Sequence, residues 1–161
     1  MKRLLCFFAF ILFAGHASAQ QELYFGLSGN MAYAFNINTE TVDTSAYTVA
    51  AGAQLGVRNL LGPFGLRATG EYTVYPASGF FEAGGDLIFN FGTLLDPYAG
   101  IGAGIGYQSG YTFGMGRALV GIAPRFSTAF GLFGEASLHA YIGEVGEAYS
   151  VKGRAGVNFY Y

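Results

Sequence analysis

Residues Tyr98 to Gly110 read YAGIGAGIGYQSG, with glycine at 100, 102, 104 and 106 and an apolar residue in each gap. A loop that cradles a dinucleotide needs G-x-G-x-x-G, after a strand and at the head of a helix. Counting from Gly102 and Gly104, the third glycine falls on Tyr107; counting from Gly100, it falls on Ile105. Both registers fail. What the stretch does carry is a strict period of two, the period of a β-strand. One face of that strand is bare glycine, and the other is Ala99, Ile101, Ala103, Ile105 and Tyr107.

The same alternation extends in both directions. Turn signals divide the chain after residue 20 into eight segments: 22–36, 47–58, 64–75, 80–91, 98–108, 116–126, 132–142 and 149–161. A tilted strand crosses a bilayer in about 9–11 residues, close to these lengths. Connections at 59–63, 92–97 and 127–131 are short and rich in turn-forming residues,. They alternate with connections at 37–46, 76–79, 109–115 and 143–148.

Sorting each segment by parity separates two chemistries. One face carries Leu23, Phe25, Leu27, Met31 and Tyr33 in the first segment and Phe81, Ala83, Leu87, Phe89 and Phe91 in the fourth. No charge, amide or hydroxyl other than tyrosine occurs on it in any segment. The opposite face holds Arg58, Arg67, Arg117, Arg125, Lys152 and Arg154, and also Glu22, Glu71, Glu82, Asp86 and Glu135. All eleven strand charges share one parity; Glu40, Asp43, Asp96, Glu144 and Glu147 fall in connections. A water-soluble barrel would be apolar inside and charged outside. Here the arrangement must be inverted, because a charge facing lipid at mid-bilayer costs about 2–4 kcal/mol. An open strand edge in hydrocarbon leaves backbone groups unpaired, so the sheet must close. The pattern therefore predicts an all-β fold, an eight-stranded antiparallel up-and-down transmembrane β-barrel with a lumen that side chains nearly fill. The glycines of the fifth strand then face the lumen and make room for larger neighbours.

Composition agrees. Charged residues make up only 11% of the chain and aromatics 17%, too few charges to cover a water-facing surface,. The aromatics collect at segment ends, as interfacial girdles do. Phe25, Phe64, Phe89, Phe91, Phe126, Phe159 and Tyr161 belong to one rim; Tyr33, Phe35, Tyr47, Tyr72, Phe81, Tyr107 and Tyr149 belong to the other. Lys2 and Arg3, the apolar run Leu4 to Ala14 and the Ala17-Ser18-Ala19 pattern predict a secretory leader over residues 1–19,. Residues 20–161 then form a single domain. Eleven apolar residues span about 16 Å, short of the roughly 30 Å hydrocarbon core, so this run is not a membrane anchor. Cys6, the one cysteine, leaves with the leader. Without Lys2 and Arg3, six basic and ten acidic residues remain, a net charge of −4 that gives no footprint for nucleic acid,.

Tyr98-Ala99-Gly100-Ile101-Gly102-Ala103-Gly104-Ile105-Gly106-Tyr107 resembles the glycine-alternating strand of the small outer-membrane β-barrel domain family, the OmpA/OmpX-like barrels. The end of the chain, with Val157, Phe159 and a final Tyr161, is similar to the terminal signal read by the bacterial barrel-assembly machinery. The resemblance implies a cell outer-membrane location, outer-membrane lipid and that machinery as partners, a monomer, and no cofactor. The family includes structural barrels, adhesion proteins, narrow channels and a few lipid-modifying enzymes.

Glu135, Ser137 and His139 place three catalytic residue types in a row on the inward face of one strand. Outer-membrane lipid A deacylases use such a set, but present it towards lipid. Same-face neighbours along a strand stand about 6.5–7 Å apart, which predicts no direct hydrogen bond between them. With His16 in the leader, one histidine remains and no metal-ligand spacing is present,. The inward charges are better explained as a lumen network of Arg67, Glu71, Glu82, Asp86, Arg117, Glu135, His139, Lys152 and Arg154. Within it, Glu82 and Asp86 are expected to reach across the barrel to Lys152 or Arg154. The functional expectation is a structural or surface barrel without catalysis. The alternative is a narrow pore or conduit for a small solute, favoured by the glycine-lined side of the lumen and opposed by its charges and by inward Tyr98, Phe133 and Tyr141.

Overall fold

The computed structural model describes residues 21–35, 46–75, 80–92, 95–108, 110–143 and 146–161. The expected leader and most of the connections 37–46 and 76–79 lie outside the described residues. Eight strands follow one another: β1 (Glu22–Phe35), β2 (Ala46–Leu61), β3 (Phe64–Tyr75), β4 (Phe81–Asn90), β5 (Pro97–Gln108), β6 (Tyr111–Ile122), β7 (Phe130–Gly143) and β8 (Gly146–Tyr160). Each pairs antiparallel with the next, and β8 returns to β1 in register from Tyr24↔Tyr160 to Phe35↔Tyr149. The sheet is thus a closed barrel with no free strand edge,.

Alternation sets the two faces throughout. Ile101 is 65% exposed on the outside, whereas Arg67 is 4% exposed in the lumen. Both follow the parity read from the sequence. Phe64 and Phe89 sit edge to face at 5.3 Å near the mouth that carries the termini, and Phe89 meets Phe91 at 5.0 Å. At the other mouth Tyr33 lies 5.1 Å from Tyr47.

The sixth strand departs from its expected bounds. It starts at Tyr111, with Gln108 opposite Tyr111 across a tight hairpin, so most of the expected 109–115 connection is strand. The reason is the outward face of its first half, which offers Thr112, Gly114 and Gly116 and gives almost no apolar signal. The same strand ends at Ile122 and not at 126, since Pro124 has no N–H to continue a ladder,. Arg125 consequently lies outside β6, in an isolated bridge to Gly131, and its guanidinium is exposed at the mouth. It is not a lumen residue. β2 runs on to Leu61, past the expected 58, by way of a register shift after Val57 and Asn59 at φ 53°.

Candidate functional site: the lumen network

The glycines of β5 explain how the lumen is filled. Gly102 stands between Asp86 of β4 and Arg117 of β6 in the register. A Cβ there would come 2.0 Å from Asp86 Oδ1 and 3.0 Å from Arg117 Nε. The bare backbone is a saddle over which strands on either side make their contact. Gly104 does the same beneath Met115, and Gly106 beneath the Phe113 ring. The space that glycine opens is therefore occupied, and this side of the lumen is not an open lining.

At the centre, Asp86 accepts hydrogen bonds from two guanidiniums, Arg67 Nε at 2.7 Å and Arg117 Nε at 2.6 Å. Arg67 and Asp86 are direct cross-strand partners on β3 and β4. Arg67 also donates to Glu135 at 2.6 Å, and Arg154 pairs with Glu135 at 3.0 Å. Around these charges sit neutral partners: Tyr98 donates to Glu135, Arg117 to Thr69 Oγ1, and Arg154 to Gln54 Oε1. The expectation for Asp86 is corrected here. It engages Arg67 and Arg117, its near neighbours, and neither Lys152 nor Arg154.

Towards the opposite mouth, Glu71 and Glu82 face each other directly across the β3–β4 ladder. Like charges so placed repel. Lys152 reaches from β8 to resolve the conflict, with Nζ at 2.6 Å from Glu71 and 2.5 Å from Glu82. Arg154 adds a longer contact to Glu71 at 3.4 Å. Tyr141 donates to Glu82 at 2.7 Å. The cations Arg67, Arg117, Lys152 and Arg154 thus balance the anions Glu71, Glu82, Asp86 and Glu135, and the lumen is formally neutral. Buried ions are tolerated on this condition, because removing one member leaves the other desolvated and alone.

A second distance is also corrected. Ser137 Oγ and His139 Nε2 lie 2.9 Å apart, since the two side chains lean together along β7. No triad results. Glu135 is committed to Arg67, Arg154 and Tyr98, while His139 Nδ1 faces Met115 Sδ and the Tyr141 hydroxyl. His139 is 1% exposed, buried inside the barrel. Through Tyr141 it joins the outer end of the network.

A smaller cluster lies at the mouth that carries the termini. Arg58 pairs with Asp96 and Arg125 pairs with Glu22, with the Arg125 guanidinium 4.1 Å from the centre of the Tyr160 ring. Sequence parity placed Arg58 inward but left Asp96 in a connection without a role. Gln54 and Thr69, also part of the network, shared the inward parity but carry no charge to mark them. Val157 and Phe159 point outward on β8 and Tyr161 follows the strand, 79% exposed, so none of the three takes part in the lumen.

No protein-family model matches the sequence, and no curated protein sequence does. Solved structures do match in fold. Neisserial surface protein A superposes with a TM-score of 0.71 at 16% identity, over 85% of this chain and 96% of that one. The N-terminal β-barrel domain of Pseudomonas aeruginosa OprF gives 0.56 at 20% identity, over 88% and 100%. Ail, the attachment invasion locus protein of Yersinia pestis, solved in complex with the heparin analogue sucrose octasulfate, gives 0.57 at 9% identity, over 88% and 99%. The chain has the fold of the small eight-stranded outer-membrane barrels.

Proposed function

We propose that this chain is an integral outer-membrane barrel with both termini on the periplasmic side, acting as a structural or surface-exposed element and turning over no substrate. One observation carries the reading: an outward face whose one charge among the described strand residues is Glu147, at the β8 end beside the hairpin to β7, encloses a neutral lumen filled by paired side chains. Lipid tolerates the first, and the second gives the barrel a rigid interior in place of a wide aqueous channel. The leader-like residues 1–19 fit export, and the outward Val157, Phe159 and terminal Tyr161 suit recognition by the assembly machinery. The partners proposed are outer-membrane lipid and that machinery, with the barrel itself monomeric. Cell fractionation tests location: the protein should sediment with outer membranes and migrate faster on electrophoresis when unheated, as closed barrels resist detergent. Recovery as a soluble periplasmic protein would overturn the membrane reading. A narrow conduit is the second reading, favoured by buried polar atoms on one wall of the lumen that have no protein partner. Planar-bilayer recordings separate the two, since a filled barrel gives no resolved steps.

A further inference from the structure

The lumen charges balance as a whole but not along the length of the barrel. On the side away from the termini, Lys152 faces two carboxylates, Glu71 and Glu82. On the side of the termini, three guanidiniums, Arg67, Arg117 and Arg154, share two carboxylates, Asp86 and Glu135. The 3.4 Å contact between Arg154 and Glu71 joins the two groups. At the mouth itself, Arg58–Asp96 and Arg125–Glu22 cancel. One positive charge is therefore in excess on the side of the termini, and one negative charge on the other.

Beside the positive excess lies a cavity of about 20 Å³, with Arg58, Arg67, Tyr24, Asn90, Tyr98 and Tyr160 in its lining. It has room for one guest about the size of a water molecule. Among the described residues no carboxylate lines it; Asp96, Asp86 and Glu135 reach the two arginines from outside the lining. Each arginine also keeps one buried N–H without a protein partner, Nε of Arg58 and Nη2 of Arg67. A buried donor without an acceptor is costly, and more so on a charged group. Water would accept from both arginines but leave the excess charge in place. A monatomic anion answers both needs and asks for no acceptor in return. Sulfate and phosphate are too large for the space.

We propose that this cavity is a binding site for one halide ion, held between Arg58 Nε–H and Arg67 Nη2–H as a counter-ion of the barrel interior. Urea unfolding of the full barrel in a zwitterionic detergent, followed by tyrosine fluorescence, tests the site. Sodium chloride and sodium bromide are compared with sodium gluconate at equal ionic strength. Both halides should raise the midpoint saturably above its gluconate value, as any ligand of the folded state does. Arg58→Gln should abolish that gain. Equal midpoints in all three salts overturn the site and leave the cavity to an ordered water. A gain that persists in Arg58→Gln overturns it too, since the ion then binds elsewhere. Should Arg58→Gln fail to fold, crystals of the unaltered chain grown in sodium bromide decide the matter. An anomalous peak inside the cavity supports the site, and its absence overturns it.

Discussion

Arg67–Asp86 in the middle of the barrel and Arg125–Glu22 at its mouth are the same chemical pair in different surroundings. The side chains of the first are 2% and 0% exposed; those of the second are 31% and 21% exposed. Water screens the mouth pair and can replace either partner, so such contacts contribute about 0–1 kcal/mol. The central pair has no such substitute. Asp86 is shared by Arg67 and Arg117, and Arg67 is shared by Asp86 and Glu135, so each ion there is held from two sides. Ion-pair count alone therefore says little about this barrel. What matters is how many partners each loss leaves alone.

That contrast can be broken by mutation. The largest effect is expected for Asp86→Asn, which leaves two buried guanidiniums short of an anion and should destabilise by about 3–5 kcal/mol in a denaturant unfolding assay. Lys152→Met should follow, because it exposes Glu71 and Glu82 to each other; Glu82→Gln should be milder, since Lys152 keeps Glu71. In the Glu82→Gln/Lys152→Met double variant the loss should fall below the sum of the single losses, and simple additivity would refute coupling between them. Next comes Ile101→Arg, a charge on the outward face near mid-strand, at about 2–4 kcal/mol and with loss of the heat-dependent mobility shift. Harmless arginine at 101 would mean that this face does not meet lipid.

Smaller effects sharpen the picture. Gly102→Ala should cost about 1–3 kcal/mol as an overpacked site, because its Cβ collides with Asp86 and with the Gly85 backbone,. Gly153→Ala, on the outward face with nothing within 4 Å of a new Cβ, should be neutral within error. Arg125→Gln at the mouth should change stability by less than about 1 kcal/mol, and the change should shrink further in high salt.

The barrel was legible in sequence because period-two alternation and the confinement of charge to one parity are local signals that survive without knowledge of pairing. Leu87, Ile101, Arg67 and Lys152 all take the face their parity assigns. The first five residues of strand six escaped because Thr112 and Gly114 left its outward side without an apolar signal just where the strand begins. Partner choice in the lumen was less legible. Which ions meet depends on register and on how far side chains lean: Asp86 meets Arg67 as its cross-strand partner on β3, and reaches Arg117 on β6 because Gly102 of β5 puts no side chain between them. Ser137 and His139 meet by side-chain tilt that Cα spacing does not record. Gln54 and Thr69 were invisible as network members because only charge had been followed.

The facing carboxylates Glu71 and Glu82 carry a consequence for the order of assembly. Before β8 is in place, the central lumen holds Arg67 and Arg117 against Glu71, Glu82, Asp86 and Glu135, an excess of two negative charges. Lys152 and Arg154, both on the last strand, supply the missing positive charge in one step. A seven-stranded intermediate thus has its strongest electrostatic conflict in the β3–β4 hairpin and its remedy in the strand made last. Closure and neutralisation are a single event, which disfavours any barrel that seals without β8.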